Sequence, residues 1–189
     1  IFDTSICAST IVMGGESWSN CWTIPLPDLT IKSIQAIQVV NGTPLITKKA
    51  TVVRVNVSNS GNETDITTIL NYDGMNYTNI SKFNGTKLID FYPNPIYSAG
   101  TYWIEASVDP YNQIEEKDET NNVLGKSVGV IDTKGFKMVY KRMVDPAGIV
   151  PYDRFVSIAN ENSEFLISTY PISRYSMNIE YSRVNESLC

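Results

Sequence analysis

Ala50-Thr51-Val52-Val53-Arg54-Val55-Asn56-Val57-Ser58-Asn59-Ser60 puts Val53, Val55 and Val57 on one face and Arg54, Asn56 and Ser58 on the other. A period of two is the geometry of a half-buried β-strand, whose successive Cβ atoms point to opposite sides. Outward from this stretch the same signal recurs at the spacing of a sandwich. Residues 29–37 read as the strand before it and residues 65–72 as the strand after it, past a turn at Ser60-Gly61-Asn62. Asp73-Gly74, between β-like runs, predicts a two-residue hairpin. Residues 87–92, 100–109 and 123–131 continue the series, with Tyr102, Ile104, Ala106 and Val108 sharing a face. With the β-like run that follows Gly74, seven short strands over residues 27–131 predict an all-β chain built on an immunoglobulin-like antiparallel β-sandwich.

Composition agrees. Of 189 residues, Val and Ile together number 37 against 15 for Ala and Leu, with 16 Thr and 11 Tyr besides. Branched and aromatic side chains suit a pleated surface and lose rotamer freedom in helices. Histidine is absent. That excludes Ser-His-Asp and Cys-His catalysis and any His-bearing zinc site. The net charge of -5 argues against nucleic acid and anionic membrane partners, which need clustered Lys and Arg. No run approaches the roughly 18 apolar residues of a membrane span. The chain begins at Ile1, with no basic stretch leading into an apolar one, which reads as a processed or excised chain.

Three regions follow. Residues 1–26 form an N-terminal β-segment, residues 27–131 the sandwich, and residues 132–189 a C-terminal β-rich extension. Pro25-Leu26-Pro27-Asp28 is a stiff joint between the first two, because each Pro fixes its φ and restricts the residue before it. In the first region a loop at Met13-Gly14-Gly15 pairs Val12 with Glu16, and the same register sets Cys7 opposite Cys21, within adjustable reach of a disulfide. A bridge from either cysteine to Cys189, or between molecules, is the alternative. In the last region residues 136–143, 155–159, 164–169 and 176–184 read as strands, broken by Pro146 and Pro151.

Seven Asn-x-Ser/Thr sequons, at Asn41, Asn56, Asn62, Asn76, Asn79, Asn84 and Asn185, point to N-linked glycans on an extracellular surface, six of them crowded between residues 41 and 84. The pattern predicts one sugar-coated flank.

Several motifs resemble the CARDB (cell adhesion related) domain: Pro27-Asp28-Leu29-Thr30-Ile31, the strand ending Asn56-Val57-Ser58-Asn59-Ser60-Gly61-Asn62, the Tyr72-Asp73-Gly74 turn, and most specifically Gly100-Thr101-Tyr102-Trp103 through Asp109-Pro110 to Glu116-Lys117-Asp118-Glu119-Thr120-Asn121-Asn122. The resemblance covers residues 27 to about 131. It implies a fibronectin- or immunoglobulin-like module of prokaryotic, archaeal in particular, cell-surface proteins, with no shared active site.

The densest polar cluster, from Asp109 to Asn122, lies in one loop. Asp109, Asn112, Glu115 and Asp118 are candidate oxygen ligands for calcium, without the spacing of an EF-hand; the competing reading has Asp109 and the two Asn residues fixing the turn through backbone amides. Trp103 alternates out of phase with Tyr102 and Ile104, which puts it on the other face, where it could stand open to a sugar; a Trp in a sandwich is more often packed, and that is the competing reading. Lys134, Lys137, Lys141 and Arg142 make a basic stretch. The resulting expectation is a cell-surface structural subunit with no enzymatic activity. Its copies would assemble through β-strand contacts into a homopolymeric filament or surface layer, with Ile1, Ile6, Ile11 and Val12 on the donated strand. The alternative is a monomeric adhesive module that recognises a glycan or a surface protein.

Overall fold

The computed structural model describes residues 4–9, 19–39, 44–142, 144–145, 148–170 and 172–183. Ile1, Ile11, Val12, Asn41, Asn185 and Cys189 lie outside them. The described elements are β1 (Thr4–Ser9), β2 (Ser19–Ile24), β3 (Leu29–Ile37), β4 (Leu45–Ile46), β5 (Val52–Tyr72), β6 (Met75–Phe91), β7 (Gly100–Val108), β8 (Val123–Ile131), β9 (Phe136–Arg142), β10 (Val144–Asp145), β11 (Gly148–Ile149), α1 (Tyr152–Thr169) and β12 (Met177–Arg183). The fold is all-β: an immunoglobulin-like β-sandwich with an N-terminal β-segment and a C-terminal β-rich extension. Its six-stranded sheet runs β3-β5-β7-β8-β4, with β6 paired to β5. β5 and β7 are antiparallel, from Thr68 opposite Val108 to Tyr72 opposite Ile104. The short β4 departs from that pattern and runs parallel to β8.

The strand that opened the sequence reading is longer than its alternation predicts. β5 passes through Ser60-Gly61-Asn62 without turning back, which corrects the turn expected there. The reason is visible in the phase of burial. Val53, Val55, Val57 and Asn59 are buried, and then Ile66, Thr68, Leu70 and Tyr72. The buried set changes from odd to even numbers, so the strand slips by one residue between 59 and 66, as a bulge does. Asn59 holds the irregular segment: its Oδ1 accepts from Gly61 N at 2.8 Å, and its Nδ2 donates to Asn62 O at 3.0 Å and Phe83 O at 2.9 Å. Gly61 is required because a Cβ there would come within 2.5 Å of Pro27 Cβ.

Asp73 and Gly74 form the expected tight turn, both with positive φ (51° and 74°), the signature of a hairpin turn whose twist matches its strands. The strand expected at residues 87–92 is only the end of β6. Residues 75–82 bury neither face fully, so hydrogen bonding to β5, rather than an apolar stripe, makes that part a strand.

Contacts divide the chain into two units, residues 1–34, 54–91 and 103–126, and residues 35–53, 92–102 and 127–189. The first has its core in Leu29, Ile31, Val55, Val57, Ile66, Leu70, Tyr72, Phe83, Ile89, Ile104, Ala106 and Val108. The second buries Leu45, Ile46, Val53, Ile96, Val128, Val130 and Ala159.

Within the second unit, the strands expected at 155–159 and 164–169 are one helix, α1. The connecting Asn160-Glu161-Asn162-Ser163 has no Gly or Pro to break it, and the sheltered residues, Phe155, Val156, Ala159, Ser163, Leu166 and Ile167, recur at helical spacing. Pro151 stands at the N-cap, where a missing N–H costs little. At the other end Lys49 Nζ donates to Ile167 O at 2.6 Å and Tyr170 O at 2.7 Å, filling carbonyls that the last turn leaves open. Burial lowers the Lys49 pKa. The helix links β9 to β12, which pair in parallel from Phe136 opposite Met177; parallel neighbours need such a crossover. Tyr181 packs edge-on against Phe155 at 6.2 Å and donates to Asn160 Oδ1 at 2.6 Å, fastening α1 to this small sheet.

Candidate functional site

The loop between β7 and β8 spends its polar groups on itself and on the Pro27 joint. Asp109, 3% exposed and at φ 43°, accepts from Gln113 N at 3.1 Å through Oδ1 and from Ile114 N at 2.8 Å through Oδ2. Asp118 Oδ1 caps the 3-10 turn at Glu119–Asn121 by accepting from Thr120 N at 2.9 Å and Thr120 Oγ1 at 2.6 Å. Glu116 is buried: its Oε2 accepts from Leu29 N at 2.5 Å and its Oε1 from Asn122 Nδ2 at 2.9 Å. Asn121 Nδ2 donates to Asp28 Oδ1 at 2.9 Å and Lys117 N to Pro27 O at 2.8 Å. The loop is thus a clasp that holds the start of β3.

Burial pushes Glu116 up to about 7, helped by nearby Glu119 and Asp109 and opposed by the bonds from Leu29 and Asn122, which favour the charged form. Four residues of the loop are expected from sequence as calcium ligands. Of the four candidates, Asp109 and Asp118 are engaged as described, while Asn112 and Glu115 are exposed. Among the described residues no group of three or more His, Cys, Asp or Glu side chains could hold a metal ion.

The β5–β6 hairpin is the other polar concentration. Five sequon asparagines lie on it: Asn62, Asn76 and Asn84 are exposed, Asn56 and Asn79 half-buried. Asn56 is out of phase with the valines, as period-2 geometry predicts, yet its Oδ1 is enclosed without a partner. Ser81 Oγ, the hydroxyl of the Asn79 sequon, donates to Asn79 Oδ1. Asn76 Oδ1 accepts from Asn71 Nδ2 at 2.8 Å across the turn.

The CARDB family model matches residues 26–126, more than half of the chain and all of the clasp. The chain belongs to the CARDB family. No curated protein matches it significantly. Solved structures to which it is similar include a CARDB domain from Pyrococcus furiosus in complex with di-metal ions (27% identity, TM-score 0.48, covering 59% of this chain and 100% of that one). A solution structure of a CARDB domain from the same organism has 29% identity and TM-score 0.42, covering 57% and 98%. A domain of a candidate cell-surface protein of Methanosarcina acetivorans has 25% identity and TM-score 0.43, covering 56% and 93%.

Outside the clasp of this CARDB chain, Trp103 faces outward as its alternation predicts and is 57% exposed. The indole lies against Gly125, where a Cβ would sit 2.7 Å from Cε2 and 3.0 Å from Nε1, and Nε1 donates to Glu105 Oε2 at 3.2 Å. Alternation sets the face on which the ring stands, but nothing local relates it to its Gly125 seat. In the N-terminal segment β1 and β2 pair so that Cys7 is opposite Cys21 and Ile6 opposite Trp22. The basic stretch is partly engaged: Lys137 pairs with Glu180 at 2.8 Å and Arg142 sits 5.8 Å from the Tyr152 ring. No helix of the described residues is long and apolar enough to cross a membrane.

Proposed function

We propose that this chain is an extracellular, N-glycosylated, non-catalytic subunit of the cell surface, whose copies associate through its N-terminal hairpin, stapled by a Cys7–Cys21 disulfide. The supporting observation is that, among the described residues, β1 and β2 form a two-stranded sheet of their own, separate from the six-stranded one. A lone hairpin is marginal in water, so the segment gains by lying against another copy. Sedimentation tests this. Full-length chain is expected to pellet as polymer and a chain lacking residues 1–24 to stay monomeric; polymer of unchanged geometry from the shortened chain overturns the reading. The second reading, a monomeric adhesive module, is favoured by the outward Trp103, and its expected result is full-length material sedimenting at 21.1 kDa plus sugar.

A further inference from the structure

Four residues that no single stretch of sequence joins form one row across the outer face of the sheet. Glu105 on β7 is directly opposite Asn71 on β5. The side chain of Asn71 bonds in turn to Asn76 on β6. Ile104, Ala106, Leu70 and Tyr72 are buried, so their alternating neighbours Asn71, Glu105 and Trp103 project from the opposite face. Trp103 is two positions along from Glu105 and hydrogen-bonded to it. Neighbouring strands are about 4.8 Å apart and successive residues about 3.4 Å, which sets Asn76 and Trp103 about 12 Å apart, Cα to Cα, with the indole leaning one strand further, over Gly125 on β8.

We infer that Asn76 is an occupied glycosylation site and that the protein-proximal sugars of its glycan lie across the exposed indole of Trp103. The inference rests on the glycosylated-surface reading and adds to it a specific acceptor and a specific contact. Asn71 holds Asn76 by Oδ1, and among the described residues no group accepts from Nδ2, the atom that carries a glycan. Trp103 offers what a pyranose ring stacks on: a large rigid apolar plate with little rotamer entropy left to lose. Gly125 and Glu105 already hold the plate in place. Glu105 and Asn71 line the path between attachment point and plate with groups able to bond sugar hydroxyls. Asn56 lacks this combination, because its Oδ1 is enclosed.

The test is tryptophan oxidation with N-bromosuccinimide on full-length protein from its glycosylating host, read by peptide mapping alongside glycopeptide mass spectrometry. Asn76→Gln is expected to raise oxidation of Trp103 severalfold and Asn84→Gln to leave it unchanged. Wild-type chain from a non-glycosylating host should match Asn76→Gln, which keeps the result independent of any substitution. Equal oxidation with and without a glycan at Asn76 overturns the contact. Protection of Trp103 that persists in Asn76→Gln also overturns it, since something else then covers the ring. Glycans at other sequons with Asn76 bare defeat this inference and leave the glycosylated-surface reading standing. No glycan at any sequon defeats both.

Discussion

The loop from Asp109 to Asn122 and the β5–β6 hairpin are both rich in polar side chains, and they use them in opposite ways. The loop turns two of its five carboxylates inward: Asp109 and Glu116 are buried and take backbone N–H groups. The hairpin turns three of its five sequon asparagines outward: Asn62, Asn76 and Asn84 are exposed. Polar density therefore does not say whether a segment is architecture or surface; the destination of its hydrogen bonds does.

If that difference is real, substitutions should separate the two regions by stability. The largest effect is expected at Asp109. Asp109→Ala leaves two backbone donors without their charged acceptor, which costs roughly 3 kcal/mol, read as a lower urea midpoint at pH 7; a loss no larger than that of an ordinary surface change would dissolve the idea of a clasp.

Glu116 supplies a sharper test through pH. Its carboxyl holds a proton in the folded chain up to about 7, against 4.5 ordinarily. Between these values the folded state binds more protons than the unfolded one, so stability is full below pH 4.5 and falls as pH rises through 7. The expected fall is roughly 1–3 kcal/mol. With no histidine in the chain, no other side-chain type ordinarily titrates across that window. Urea midpoints measured at intervals from pH 4.5 to 8 should decline for wild type and stay level for Glu116→Gln. Equal slopes in the two proteins would remove Glu116 as the titrating group.

The smallest effect belongs to the hairpin. Asn84→Gln in unglycosylated protein should change stability by less than about 0.5 kcal/mol, measured by the same urea titration. A cost comparable to that of Asp109→Ala would mean that the sequons, too, are architecture.

Much of this was legible in the chain itself. The alternation of Val53, Val55 and Val57 with Arg54 and Asn56 determined a strand and its inner face, and Asp73-Gly74 determined a turn, because period-2 geometry and positive φ are local properties. The outward direction of Trp103 follows from the same parity. Other features escaped for physical reasons. The slip in β5 between residues 59 and 66 depends on Asn59 reaching Phe83 O and on Gly61 meeting Pro27, contacts between residues far apart in sequence. Residues 155–159 and 164–169 each carry a Phe and an Ile and read as two strands, yet their sheltered residues follow a period near 3.6 and pack on β9 and β12 as a helix. The carboxylates of the clasp look the same in sequence whether or not backbone N–H groups reach them. That choice is made by Leu29 N arriving beside Glu116, 87 residues apart in the chain. Local geometry sets which way a side chain points, and only the folded chain decides what it meets there.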